Sequence, residues 1–393
     1  MKYDFIIAGG GCAGLSMLDR LLSDQNLSKK DILLVDKQDY QINDKTWCFW
    51  EKGTPWYASL VSKSWDHIHF ADREGVISGL ANPFRYHMIR SLDFYQHILT
   101  RLKNFPNVKL IKGWISEIGE TDHSGYIVAD GQKFEAQTVF NSFYGFEKQK
   151  PTFSLHQHFK GYFIQTAQPI FKGKGVYLMD FRIPQIEGPS FMYVLPTSDN
   201  EALVECTYFT ENTFHQTVYH SQIKQYLEQI WNLKKYEIVE EEHGVIPMKD
   251  ATFKEKVGSR IINLGAIAGA VKPTTGYAFK NIQRRCDFLI NQLSPTKNRL
   301  TKVYNKKRFR FYDKLLLYLM TTEKEASSSI FSALFRKNSF PIILKFLDER
   351  SNLLEEILLF STLPKIRFLK ALTAVYFKNP SFPIISKPKS ELR

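Results

Sequence analysis

Gly9, Gly11 and Gly14 stand in the pattern G-x-G-x-x-G, and Asp36 follows 22 residues after Gly14. That spacing suits a dinucleotide. Gly9 permits a tight turn, Gly11 lets backbone approach a pyrophosphate, and Gly14 lets a helix pack close to a strand. The start of the helix then offers free N–H groups and a positive dipole end to the phosphates. Asp36 can accept hydrogen bonds from ribose hydroxyls, which fits either FAD or NAD.

Three further stretches carry candidate chemistry. Asn43-Asp44-Lys45-Thr46-Trp47-Cys48-Phe49-Trp50 sets two tryptophans beside a charged pair, so Asp44 and Trp47 either line a pocket or pack structurally. Leu203, Glu205 and Phe209 share one face of an alternating run, and Glu205 is the only acid between Ala202 and Phe209. It is either a carboxyl in an apolar setting or a residue on a solvated sheet face. Gly265 to Tyr277 is rich in small residues, with Gly265, Gly269, Pro273 and Gly276 letting backbone approach a ligand closely.

The positioning elements are legible around these residues. Tyr3 to Ala8 reads as a buried strand, Leu15 to Leu22 as a helix with one leucine stripe, and Asp31 to Val35 as a second strand. Met88 to Leu102 reads as a helix and Val108 to Ile111 as a strand. Tyr126 to Phe134 reads as a hairpin turning at Asp130-Gly131, followed by a strand over Thr138 to Asn141 ending near Gly145. Phe159–Ile164, Gly175–Phe181, Ser190–Leu195 and Ala202–Phe209 read as strands of an antiparallel sheet. Val218 to Ile230 reads as a helix. Ile261 to Gly265 returns as a buried strand, and Ala278 to Leu293 is a helix whose N-terminus points at whatever the preceding loop holds. From Leu300 onward the pattern is amphipathic and helical, broken at Pro341 and Pro364.

Composition narrows the function classes. The chain has 393 residues, enough for two or three domains with real cores. Cys12, Cys48, Cys206 and Cys286 form no C-x-x-C or zinc pattern, which predicts a reduced cytosolic protein with no metal site. No signal peptide is expected, and no apolar run approaches the roughly 18 residues of a membrane span. The net charge is +13, and residues 291–393 hold most of it: 20 Lys and Arg against 8 Asp and Glu, a net of +12. Such a segment suggests an anionic partner. Its basic residues are interleaved with apolar clusters and no RNA-binding signature accompanies them, so a membrane surface is expected rather than nucleic acid.

Taken with Phe191-Met192-Tyr193-Val194-Leu195-Pro196, four segments carry a resemblance. They are the glycine loop, Asp44-Lys45-Thr46-Trp47-Cys48-Phe49, Leu203-Val204-Glu205-Cys206-Thr207, and Lys272-Pro273-Thr274-Thr275-Gly276-Tyr277-Ala278-Phe279. Over roughly residues 3 to 290 the chain resembles the bacterial lycopene β-cyclases. Beyond Leu300 the likeness lies only in basic, helical character.

The resemblance implies an α/β fold. It would comprise a Rossmann-type FAD-binding domain of the glutathione-reductase flavoprotein kind, an antiparallel-sheet substrate domain and a C-terminal helical segment. The expected boundaries are 1–150 (completed by about 245–290), 151–244 and 291–393. It further implies reduced FAD as cofactor, NADPH or another donor as reductant, and lycopene or a related linear carotenoid as substrate. The reaction would close the linear ends into β-ionone rings with no net redox change, on the inner face of a membrane. Beside a flavin, the helix beginning at Ala278 would favour an anionic reduced ring. An alkene is a very weak base, so its acid must stay protonated and away from water until used. The resemblance places the essential glutamate at Glu205. The plant members carry two adjacent acids there, whereas this chain has Glu205-Cys206.

Two other readings compete. Flavin monooxygenases usually carry Gly-Asp where this chain has Gly265-Ala266, and they carry a mid-chain Asp-Gly motif. The only Asp-Gly here, Asp130-Gly131, reads as a hairpin turn. A non-enzymatic protein with a vestigial nucleotide fold would rest on the basic segment alone.

Overall fold

A computed structural model describes residues 2–143, 151–294 and 307–378. The chain opens with β1 (Lys2–Ala8), α1 (Cys12–Ser23) and β2 (Ile32–Asp36). β3 (Thr46–Glu51), β4 (Val61–Trp65), β5 (His67–Asp72), β6 (Gly75–Leu80) and β7 (Arg85–Arg90) precede α2 (Ser91–Leu102). β8 (Val108–Lys112), β9 (Ile115–Glu120), β10 (Gly125–Ala129) and β11 (Gln132–Asn141) follow. Then come β12 (Ser154–Gln165), β13 (Val176–Asp180), β14 (Ser190–Pro196), β15 (Glu201–Thr210), α3 (Gln216–Ile230) and β16 (Glu237–Lys249). β17 (Lys256–Val257), β18 (Ile261–Asn263) and α4 (Phe279–Leu293) complete the part before residue 295. α5 (Lys307–Thr322), α6 (Ser328–Lys337), α7 (Phe340–Leu347), α8 (Leu353–Ser361) and α9 (Lys365–Lys378) form the helical end.

The first sheet has the parallel core β18-β11-β1-β2-β8, extended by the β9–β10 meander and by β17. Ile6, Ile7, Leu33 and Leu34 are fully buried because both faces of this parallel sheet are covered. α1 lays Leu15, Leu18, Leu21 and Leu22 against the sheet, each worth roughly 1.5–3 kcal/mol relative to exposure. α4 packs beside α1, where Gln283 Nε2 donates to Ser16 Oγ at 3.0 Å. This is the expected Rossmann-type arrangement.

The second sheet runs β16-β12-β15-β14-β13-β5-β6 and is antiparallel except at β13–β5. α3 covers one face, over Tyr162, Val204 and Cys206. The other face carries Phe163, Leu203 and Phe209 and packs against α5, α6 and α7. A third sheet, β3-β7-β4, lies beside that second face.

Two expectations need correction. The helix begins at Ser91, not Met88, because Arg85–Arg90 is a strand pairing with β3 on one side and β4 on the other. Those two ladders satisfy its backbone as a helix would, and local periodicity does not reveal them. Thr138–Asn141 is not a separate strand but the far end of β11, whose near end forms the Asp130-Gly131 hairpin. Gly145 lies outside the described residues, as do residues 295–306 and 379–393 of the basic segment. Pro341 sits in the first turn of α7 and Pro364 immediately precedes α9, as their fixed φ allows.

Candidate functional site

The glycine loop joins β1 to α1. Gly9 has φ +94°, and a Cβ on Gly14 would sit 1.9 Å from Gly9 O, so neither position tolerates a side chain. Gly11 caps α1 without a side-chain hydrogen bond, and a Cβ there would meet no protein atom within 4 Å. That open side, faced by the first amides of α1, fits a pyrophosphate. Asp36, at the end of β2, accepts from the Gly10 N–H and, at 3.0 Å, from the Gln38 N–H. It is thereby fixed beside the loop, with lone pairs left for a ribose hydroxyl.

The second loop begins where β18 ends. Gly265 (φ +61°) lies against Ala13 of α1, which brings this loop alongside the first. Gly269 and Gly276 also have positive φ, at +76° and +71°. The turn containing Pro273 is closed by Gly276 N donating to Lys272 O at 3.0 Å and Lys272 N donating to Tyr277 O at 2.9 Å. Lys272 is buried, 2.9 Å from Asp313 of α5 and 3.2 Å from Glu349, and Thr274 Oγ1 donates to Asp313 at 2.7 Å. The helical end of the chain therefore holds this loop in place. Thr275 Oγ1 and Gln157 Oε1, beside Gly276, are buried without a hydrogen-bond partner among the described residues. Buried polar atoms need partners, and a polar cofactor ring lying on this loop would supply them.

Glu205 projects from β15 on the Leu203–Phe209 face and is 7% exposed. Tyr193 of β14 stands opposite it on one side and Gly161 of β12 on the other; beyond Gly161 comes Glu242 of β16, 5% exposed. Thr207 Oγ1 donates to Glu205 Oε1 at 2.7 Å, and Thr46 Oγ1 to Glu242 Oε2 at 2.6 Å. Burial, then the neighbouring Glu242, pushes the Glu205 carboxyl well above the usual carboxylate range. Burial also raises Glu242, opposed by the Thr46 hydroxyl and the Arg90 guanidinium.

The opposite wall comes from the third sheet and the second loop. Tyr86 Oη lies 2.6 Å from Tyr193 Oη and 2.7 Å from Tyr277 Oη. Trp50 meets Tyr277 edge-on at 4.8 Å and stacks on Tyr86 at 6.2 Å. A cleft beside them is lined by Cys48, Trp50, Tyr277 and Lys280. Tyr277 thus joins the second loop to the buried aromatic cluster beside Glu205. This setting favours the protonated form of a carboxyl beside aromatic rings, and the faces of those rings attract cations.

Asp44 and Trp47 lie elsewhere. Asp44 accepts from Tyr95 Oη at 2.8 Å and Ser91 Oγ at 3.0 Å, at the start of α2. Burial opposes its ionisation, but Lys45, Tyr95 and Ser91 together hold it below the usual range. Trp47 packs among Phe94, Tyr95 and Phe279. Cys206 faces α3, away from Glu205.

Glu242, Thr46, Tyr86 and Arg90 escaped the sequence reading. Alternation along Ile238, Glu240, Glu242, Gly244, Ile246 and Met248 would have flagged Glu242, but the run Glu240-Glu241-Glu242 masks it.

The Lycopene cyclase protein family model matches residues 4–373. A lycopene beta-cyclase of Pantoea ananas is 26% identical over 298 residues, 70% of this chain and 71% of that one. One from Pseudescherichia vulneris is 27% identical, with 70% of each chain covered. Among solved structures, a flavoprotein/dehydrogenase from Cytophaga hutchinsonii superposes with a TM-score of 0.63 at 12% identity, covering 96% of this chain and 100% of that one.

Proposed function

The chain belongs to the lycopene cyclase protein family, and on that premise we propose that it is a lycopene β-cyclase that binds FAD across its two glycine loops. The observation that carries this reading is Glu205, a carboxyl whose protonated form is favoured by its burial beside the aromatic cluster that Tyr277 joins to the second loop.

Burial and the neighbouring Glu242 favour the protonated form of Glu205, because its charged form is poorly solvated. Glu205 delivers its proton to the terminal double bond of the carotenoid. The resulting tertiary cation lies among the faces of Trp50, Tyr86 and Tyr277, and the carboxylate left on Glu205 faces it. The neighbouring double bond closes the ring, and loss of a ring proton sets the new double bond. Burial keeps water from capturing the cation. Gly9, Gly11, Gly14 and Asp36 with Gly265, Gly269, Pro273 and Gly276 would hold FAD, which in its reduced form would supply an electron-rich ring, with NADPH or another donor as its reductant. The uncapped start of α4 favours negative charge on that side.

The substrate dissolves in bilayers, so the protein docks on the inner, anionic face of a membrane. Support comes from α8 and α9, where Leu354, Ile357, Leu358, Ile366, Leu369 and Phe377 are exposed next to Lys365, Arg367 and Lys370. No described helix is long and apolar enough to cross a membrane.

The deciding experiment is expression in a lycopene-accumulating bacterium, followed by pigment chromatography. γ- and β-carotene are expected. Purified protein with reduced flavin should cyclise lycopene anaerobically. NADPH consumed in step with substrate would point instead to an FAD-dependent enzyme acting on an isoprenoid lipid, a monooxygenase where oxygen is consumed as well and a reductase where it is not.

A further inference from the structure

Glu242 has no part in the chemistry just described, yet it is buried on the same sheet face as Glu205. β15 and β16 do not pair with each other; both pair with β12, and Gly161 is the shared partner of the two glutamates. A Cβ at Gly161 would lie 3.3 Å from Glu205 Cβ and 3.3 Å from Glu242 Cγ, so the absence of a side chain there is what lets the carboxyls meet. Each carboxyl has its own hydroxyl donor, Thr207 for Glu205 and Thr46 for Glu242. Arg90 of β7 adds positive charge on the Glu242 side only, where it also pairs with Glu240. The other polar and titratable groups facing the pair are Cys48 of β3, Lys45 just before it, Tyr193 of β14 and Tyr277 of the second loop.

We propose that Glu205 and Glu242 form a carboxyl pair sharing one proton, in which Glu242 is the positioning residue held as the anion while Glu205 carries the proton to the substrate. Two carboxylates in contact cannot both ionise cheaply, so the pair keeps one proton where an isolated glutamate would lose it. In one ring closure the Glu205 O–H bond breaks as a C–H bond forms from the terminal π pair, and the neighbouring π pair forms the ring C–C bond. The proton released from the ring returns to the pair. The pair holds one proton before and after, and no electrons are transferred. In between, two negative charges face one carbocation, which stabilises the cation and favours the proton's return.

The inference rests on Glu205 being the acid of the cyclisation, and two readouts separate the ideas. The first is an infrared titration of the resting protein without substrate. It should show a protonated-carboxyl band that persists to neutral pH and is lost in Glu205→Gln. In Glu242→Gln the same band should titrate about one pH unit or more lower. The second is the pH profile of kcat. Glu242→Gln should move the alkaline limb down by the same amount with KM little changed, and Glu242→Asp should largely restore it. Thr46→Val, which keeps both carboxyls but removes the donor to the Glu242 anion, should move the limb up. A Glu242→Gln protein whose band and limb coincide with the parent's would overturn the shared proton. Should that variant not fold, an unmoved limb in Thr46→Val would do so. A parent that never cyclises lycopene defeats the cyclase reading, while the infrared titration still decides the pair.

Discussion

Glu205 and Glu242 approach each other across Gly161, from two strands that never exchange a hydrogen bond. The strand between them carries no side chain at that one position, and a Cβ there would also press on Leu203 at 2.9 Å. Gly161→Ala should therefore fold, at a cost of about 1–3 kcal/mol for the overpacked methyl. It should bind flavin normally but cyclise poorly, because the carboxyls are forced apart. Denaturant unfolding, flavin absorbance and β-carotene yield on one preparation check this; parental activity would show that the contact is dispensable.

Glu205→Gln keeps size and hydrogen-bonding ability but cannot protonate an alkene. Folding and flavin content should survive while cyclisation falls by about 10²- to 10⁴-fold, the usual range for a lost general acid. The assay is reduced flavin plus lycopene in liposomes, with products separated by chromatography. Activity within a few-fold of the parent would mean that the proton comes from elsewhere.

The same substitution has a signature in stability. Burial and the neighbouring Glu242 raise the pKa of Glu205 in the folded chain above the usual carboxylate range. Below that range both folded and unfolded chains hold the proton. Above it the unfolded chain ionises first, so stability falls as pH rises towards and through the folded pKa. Glu205→Gln removes this term. Its stability relative to the parent should increase from pH 5 to pH 8 in urea unfolding, and a constant difference would mean that Glu205 is ionised in the fold.

The two glycines of the first loop should separate structure from binding. A leucine at Gly11 meets no protein atom near its Cβ and occupies the space in front of the α1 amides. Gly11→Leu should fold with near-parental stability and purify without flavin. Gly14→Ala drives a methyl into Gly9 O and should fail to fold properly. Full flavin content in Gly11→Leu would remove the loop from the cofactor site.

Membrane docking should depend on α8 and α9 through both apolar insertion and charge. Leu354 and Phe377 are 74% and 80% exposed, so replacing them costs the fold little. Leu354→Asp with Phe377→Asp should reduce flotation with liposomes of any charge. Replacing Lys365, Arg367 and Lys370 should reduce it only on anionic vesicles and only at low salt, at about 1 kcal/mol per residue. Flotation equal on neutral and anionic vesicles and insensitive to salt would remove the electrostatic part.

What the sequence determined by itself was local. The first glycine loop is contiguous with its strand, helix and acid, so spacing alone specified its geometry. Alternation along Ala202–Phe209 was enough to set Glu205 on the face of Leu203 and Phe209, because a strand's period is two whatever it pairs with. The resemblance then marked which acid mattered. The tertiary structure decided the rest. Arg85–Arg90 became a strand only because β3 and β4 lie on either side of it, and Tyr86 reached Tyr193 and Tyr277 only as a result. Asp313, far along the chain, anchors Lys272 and Thr274 of the second loop. Glu242 stands among three consecutive glutamates; alternation separates it from Glu241, but nothing local separates it from Glu240 on the same face. Its burial follows from the register of β16 on β12, a choice made by long-range pairing that one stretch of sequence does not contain.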